Sequence, residues 1–406
     1  MAINLLPMWR GLLGVMLLAL SGGVLQAERP DIGPLLEQAK LAEAHTLLAA
    51  HLESDDDPTA RFQLGFVEFL QAIEGLGQDC YRYGLTQRYL QLPLLRMAVP
   101  ATPEPQPMTY DDLRAMVLRF ERQLATAEAT LAKVGDAEVK WHLSLDRVAL
   151  DFNQDGEIAP AERLWNIFVQ VERLANRGEN LKAPTLGLDT ADVYWLRGYC
   201  HTLSATADMM LAHDMSRLFE FKGYLLFRGA DAPYEKLGVD RRFDMSWFIE
   251  LASFIHLLQF DVAEPQRMAD AHEHMLQVIA MSRKSFEHVL TETDDDQEWI
   301  PAPQQTPSLP RAGLTHEQID GWHEVLAEAE ALLKGEKLIP YWRGGERGVN
   351  LHRVFHDPRP FDLVLWLDGA SALPYLEEGE LSTPEAWRRF QTIFGNNLLG
   401  FSLWIN

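Results

Sequence analysis

One twelve-residue segment near the middle of the chain, residues 151–162, constrains the backbone more tightly than any other stretch. It reads DFNQDGEIAPAE, with oxygen-bearing side chains at positions 1, 3, 5 and 12, namely Asp151, Asn153, Asp155 and Glu162. The sixth position is Gly156, and glycine allows the left-handed backbone of a sharp turn. In a loop that curls this tightly, alternate side chains point inward. The spacing therefore predicts a loop whose interior is lined with oxygen atoms.

The predicted oxygen lining suits a calcium ion, which takes roughly six to eight hard oxygen ligands. The side chains of Asp151, Asn153, Asp155 and Glu162 would supply most of them. The backbone carbonyl of Glu157 is a further candidate ligand at position 7, and a water would replace a side chain at position 9. The alternative is a surface turn that binds no metal, because Asp, Asn and Gly are common in turns.

This spacing resembles the calcium loop of the EF-hand family, position by position, including an aliphatic residue at position 8, Ile158. The resemblance implies Ca²⁺ as the bound ion. The segments VALDFNQDGEIAPAERLW, WLRGYCHTLSATADMMLAHD and RPFDLVLWLDGASALPYLEEGE extend the likeness to uncharacterised exported bacterial proteins with a single EF-hand loop. That wider resemblance implies no activity.

The element that leads into the loop is ambiguous in the sequence. An EF-hand loop is normally entered from a helix, whereas apolar residues alternate here as in a strand, at Val139, Trp141, Leu143 and Leu145. The exit is clearer, because Pro160 suits a first helical turn and an apolar face follows it. The sequence thus predicts an exit helix and leaves the entering element open.

The N-terminus has the features of an export signal. Arg10 precedes an uncharged apolar run over residues 11–20, and the small residue Ala27 is suited to cleavage. We therefore expect residues 1–27 to be a signal peptide and the mature chain to be periplasmic or secreted. Later segments lack uncharged stretches of membrane-spanning length, so no stable membrane insertion is expected.

The net charge of the chain argues against nucleic-acid binding. Without residues 1–27, whose one charged group is Arg10, the chain has 35 basic and 59 acidic residues and a formal charge of −24. Such a surface repels nucleic acid and attracts divalent cations, so no nucleic-acid partner is expected.

The two cysteines of the chain allow two states. Cys80 and Cys200 could form one disulfide in an oxidising compartment or remain two buried thiols. The sequence leaves both alternatives open.

Apolar residues recur at three- and four-residue intervals along most of the chain, which predicts a mainly α fold. We expect a helical hairpin over residues 28–92 and a central helical body over 109–300 that carries the calcium loop. Proline-rich stretches separate these parts from each other and from a C-terminal part, 311–406, in which a helix is followed by a small irregular, β-containing section with one more helix. The overall expectation is a helical array or bundle.

Within these parts the pattern predicts individual helices. Proposed N-terminal caps are Thr109 with Asp112, Asp189, and Thr315 with Gln318. The expected helices include 189 to about 218, 244–259, 264–291, 315–333 and about 383–394.

Two histidine groupings offer alternatives to calcium. His201, Asp208, His213 and Asp214 resemble the ligands of metal-dependent phosphohydrolases of the HD type, which implies a hydrolase site near His201, His213 and Asp214. The second grouping, His316, Asp320 and His323, has the spacing of one helix face and could hold zinc. The sequence favours an exported calcium-binding protein in which the ion is structural or supports an interaction surface for a protein partner that it does not identify.

Overall fold

The computed structural model describes residues 28–86, 96–171, 182–232, 246–309, 313–394 and 405. The expected signal peptide lies outside these residues. This described part of the chain is mainly helical, as predicted, with 59% helix and 10% strand. The helices are α1 Gly33–Glu37, α2 Leu41–Leu52, α3 Pro58–Arg82, α4 Tyr110–Leu131, α5 Leu164–Val171, α6 Thr190–Ala212, α7 Ser216–Lys222, α8 Ser246–Leu257, α9 Pro265–Val289, α10 His316–Leu333, α11 Leu351–His356, α12 Leu363–Asp368 and α13 Pro384–Phe394.

Short strands form three small antiparallel sheets in the described part of the chain. The strands are β1 Lys140–Ser144, β2 Thr185–Asp189, β3 His213–Asp214, β4 Gln259–Val262, β5 Ile339–Pro340, β6 Gly348–Val349, β7 Phe361–Asp362 and β8 Leu376–Glu377. Their orders are β1-β2, β3-β4-β7 and β5-β6-β8. The third sheet belongs to the C-terminal section, which confirms that this section contains β structure.

Side-chain caps begin several helices where the sequence predicts them. The hydroxyl of Thr109 accepts the backbone N–H of Asp112, whose carboxylate accepts the N–H of Thr109 in return. Thr315 and Gln318 form the same reciprocal box at the start of α10. These caps satisfy N–H groups that have no partner within the helix.

The core is built mainly from the longest helices. The helix α6 packs along α9, α3 packs against α4 and α2, and α4 also packs against α6. The largest cluster of buried apolar side chains includes residues from Ile32 to Ile405. It therefore draws on all three predicted parts of the chain, and the boundaries between those parts stay a prediction.

The long helix predicted from 189 to about 218 is shorter in the structure. It ends at Ala212, and His213 pairs with Val262 of β4 before α7 begins. The guanidinium of Arg114 donates to the carbonyl of Leu211 (3.1 Å), which satisfies an acceptor left free at the helix end. The side chain of Asp214 accepts the N–H of Ser216 and so favours a turn over further helix.

Candidate metal centre

The candidate loop is entered from a strand, which resolves the ambiguity in the sequence. Strand β1 pairs with β2, with Trp141 opposite Leu188, and one 3₁₀ turn, Leu145–Arg147, follows it. Trp141 also meets the rings of Phe62 and Phe66 edge-on, which ties the strand to α3. The alternation that suggested a strand was thus correct, and the chain departs here from the helix–loop–helix pattern.

Backbone hydrogen bonds join the two ends of the loop. The N–H of Leu150 donates to the carbonyl of Glu162 (3.0 Å), and the N–H of Leu164 donates to the carbonyl of Val148 (2.8 Å). Ala149 and Arg163 form an isolated antiparallel bridge between these bonds. The exit is a 3₁₀ turn, Pro160–Glu162, followed by α5, so the predicted exit helix is present.

The loop interior is curled by its own side chains. Asp151 Oδ2 accepts the N–H of Gly156 (3.1 Å), Asn153 Oδ1 accepts that of Asp155 (3.2 Å), and Asp155 Oδ1 accepts that of Glu157 (2.8 Å). Gly156 has φ +77°, the left-handed conformation for which glycine was expected. A tight turn is therefore present at Gly156, as both a calcium loop and a metal-free surface turn would require.

Glu162, the last predicted ligand, is directed back into the loop. Its side chain is fully buried at 0% exposure. Oε1 accepts the N–H of Phe152 (3.1 Å), and Oε2 accepts the N–H of Ala159 (3.0 Å). A carboxylate so deeply buried is costly without compensation, and two N–H donors supply part of it.

The donor set fits a hard cation. Asp151 Oδ1 is buried and has no hydrogen-bond partner within the described residues, so one oxygen of the first predicted ligand is uncompensated. The predicted ligands are all oxygens, which suits Ca²⁺ better than softer metals. The carboxylates of Asp151, Asp155 and Glu162 do not all approach within 4.8 Å of one another; the described group that does is Asp189, Glu292 and Glu298.

Helix α3 supplies contacts that the sequence did not predict. Glu74 Oε1 accepts the N–H of Asp151, and Gln78 Nε2 donates to the carbonyl of Asp151, both at 2.9 Å. Gln78 Oε1 also accepts from Gln154 Nε2 at 3.0 Å. Residues three and four apart lie on one face of a helix, so 74, 77 and 78 share a face. That periodicity is the signal available in the sequence, but it does not identify the loop as the partner.

Burial, the largest cause, and the nearby charges of Asp151 and Glu162 together raise the pKa of Glu74 to about 7, against the lowering effect of the hydrogen bond from the Asp151 N–H. Like charges therefore meet at this end of the loop, where a bound cation would offset them.

A separate acidic cluster links the start of α6 to the segment after α9. Asp189 caps α6 by accepting the N–H of Ala191 (2.7 Å), and Glu298 is only 4% exposed. Burial, then a hydrogen bond and charge from Asp189, raise the pKa of Glu292 to about 10. Burial and the charges of Asp189 and its acidic neighbours raise the pKa of Glu298 to about 7. The sequence did not predict this cluster.

The acidic run that follows Glu292, residues 294–296, contacts strand β1. Asp294 lies 2.5 Å from the ammonium of Lys140, and Asp296 lies 2.9 Å from His142 Nε2. Both basic residues belong to β1, so the run contacts the strand that leads into the calcium loop. Asp294 keeps about half of its side-chain surface exposed, as expected for a surface pair.

The residues of the predicted hydrolase site have different partners. His201 Nδ1 lies 2.8 Å from Nδ1 of His274, a residue outside the predicted site. His213 Nδ1 lies 2.8 Å from the carbonyl oxygen of Met209, while Asp214 accepts from Ser216. The contacts of the described residues do not join His201 to His213 or Asp214, and the hydrolase stays a prediction.

The remaining members of the histidine groupings also have structural contacts. Asp208 is 1% exposed and receives Arg267 Nη1 at 2.6 Å. The ring of His323 lies edge-on to Phe286, and burial lowers the pKa of His323. His316, Asp320 and His323 are not among the described residues whose ligand atoms converge within 4.8 Å.

No family model matches the chain, and the searches of curated proteins and of solved structures also found no match. Within the described residues, none of the helices has both the length and the apolar composition required to cross a bilayer.

Proposed function

We propose that this protein binds one calcium ion in residues 151–162 and that the ion stabilises the folded chain. The observation that carries the proposal is the buried, unpartnered Oδ1 of Asp151 within a loop already curled by its own carboxylates. The side chains of Asp151, Asn153, Asp155 and Glu162 and the carbonyl of Glu157 would hold the ion. The chemistry that calcium supplies here is charge neutralisation.

The packing of the exit helix supports a structural ion over a switch. The rings of Trp165 and Phe168 stack, and Phe168 meets Trp299 edge-on, so this face of α5 is already engaged in the core. A sensor that exposes an apolar groove on binding needs helices that can separate. The exposed residues 154–157 leave one side of the loop accessible, which is compatible with a supporting role at an interaction surface.

Calorimetric calcium titration tests this proposal. A single loop of this ligand count should bind with Kd on the order of 10⁻⁵–10⁻³ M. Asp151→Ala and Glu162→Gln should abolish binding, since each removes a charged ligand. Glu157→Gln is the matched control, because its expected ligand is the backbone carbonyl, so its affinity should stay close to that of the wild type. Unchanged binding in both ligand variants would refute the site.

We also propose that the chain is exported and acts in the periplasm or outside the cell. The apolar run over residues 11–20 and the small residue Ala27 support this location. N-terminal sequencing of the mature protein should begin near Glu28. A mature protein that begins at Met1 would contradict export with cleavage.

A further inference from the structure

We propose that Glu74 and Gln78 of α3 are positioning residues of the calcium site, contributed from outside the loop. This inference rests on the proposed calcium site. Together they hold the peptide groups on both sides of Asp151: Glu74 accepts its N–H and Gln78 donates to its carbonyl, each at 2.9 Å. Two such bonds fix the backbone of the first ligand before the ion binds. The entropy cost of ordering the loop on binding is therefore smaller.

Glu74 also contributes charge. Its carboxylate accepts the N–H of Asp151 at 2.9 Å, which places its charge beside the first predicted ligand. The ion pairs of the described residues include none of Glu74, Asp151 and Glu162, so no cation of the described residues pairs with these carboxylates. A divalent cation in the loop would be attracted by Glu74 even without direct coordination. Helix α3 therefore adds to the electrostatic attraction for the ion.

The contacts are specific to one face of α3. Gly77 lies between the two positioning residues, and Phe152 of the loop packs against it with no exposed surface. Gln78 also accepts from Gln154, so it contacts the loop at two points. These contacts with α3 hold the loop at residues 151, 152 and 154, near its entrance. Variants of α3 should consequently affect calcium binding without altering any ligand.

Glu74→Gln removes the negative charge but keeps the hydrogen bond, because the amide oxygen can still accept the Asp151 N–H. Glu43→Gln is the matched control: it makes the same charge change at an exposed site on α2. We expect Glu74→Gln to weaken calcium binding about three- to tenfold, because it removes one negative charge near the cation, and Glu43→Gln to have less than about a twofold effect. Gln78→Ala, which leaves the charge unchanged, should also weaken binding.

Melting without calcium provides the second readout. Glu74→Gln should raise the melting temperature in chelator, because it removes a half-buried negative charge next to the carboxylate of Asp151, while it reduces the increase that calcium produces. A purely structural Glu74 would give the opposite: a lower melting temperature in chelator and unchanged affinity, and that result would overturn the inference. If the wild type itself binds no calcium, the proposed function fails and the inference fails with it. Wild-type binding with unchanged affinity in Glu74→Gln and Gln78→Ala would refute the inference alone.

Discussion

A β-carbon added to Gly77 of α3 would lie 2.2 Å from Cδ1 of Phe152, the second residue of the candidate loop. That separation is far below van der Waals contact, so the phenyl ring occupies space that any other residue at 77 would fill. Burial of a phenyl side chain contributes about 1.5–3 kcal/mol, which exceeds the roughly 0.5–1 kcal/mol cost of glycine within a helix. The loop can lie against α3 because a side chain is missing there.

Gly77→Ala should destabilise the protein by about 1–3 kcal/mol, because the ring must move or the helix must shift. It should also weaken calcium binding by displacing the loop. Gly75→Ala on the same helix is the control, since its new β-carbon would be 3.4 Å from the side-chain Oε1 of Gln123. That variant should be neutral or stabilising by up to about 1 kcal/mol. Urea denaturation measures both, and equal effects would contradict the packing argument.

Calcium should raise the melting temperature with little change in helix content. A ligand that binds only the folded chain stabilises it by RT ln(1 + [L]/Kd), roughly 2.7 kcal/mol when free calcium is a hundredfold above Kd. The entering strand and α5 are already formed and packed, so no new helix is expected. Melting curves and circular dichroism with calcium or chelator check this outcome. A large helical change on calcium addition would identify a switch.

The acidic cluster should make stability fall as pH rises above about 4.5. Glu298 has a folded pKa of about 7 against an ordinary 4.5, so the folded state binds more protons than the unfolded chain between these values. The stabilising protonation is complete below pH 4.5 and lost on passing pH 7, and Glu292, at about 10, extends the decline to higher pH. Glu298→Gln should therefore stabilise the protein at pH 8, by on the order of 3 kcal/mol.

Chemical denaturation at pH 5 and pH 8, with chelator present, measures this effect. The exposed Glu43→Gln serves as the control and should leave the pH dependence unchanged. Identical pH dependence in Glu298→Gln and the wild type would refute the assignment of the decline to this cluster.

Reductant should not lower the melting temperature. Cys80 and Cys200 are both free and buried, which decides between the two alternatives left open by the sequence. Burial raises the pKa of the Cys80 thiol to about 12 and raises the pKa of Cys200 as well, so neither forms the reactive thiolate readily. Two thiols should react with a thiol reagent in denaturant and essentially none in the native state. A loss of stability with reductant would contradict free cysteines.

Local patterns were predictable from the sequence, whereas contacts between distant segments were not. The caps at Thr109 and Thr315 and the curl of the loop depend on side chains within a few residues of the backbone groups that they bind. The end of α6 was misplaced because it depends on Arg114 and on pairing with β4, both distant in sequence. Glu74, which is 77 residues from Asp151, was missed for the same reason.

The hydrogen bonds between Leu150 and Glu162 and between Val148 and Leu164 make the loop the connecting segment of a small hairpin. In a helix–loop–helix unit, a change in the loop alters the angle between the two helices that it joins. Here both ends of the connection are fixed to each other, so a change inside it alters neither the direction of β1 nor that of α5. A change confined to the exposed residues 154–157 should therefore leave the chain on either side of the loop in place.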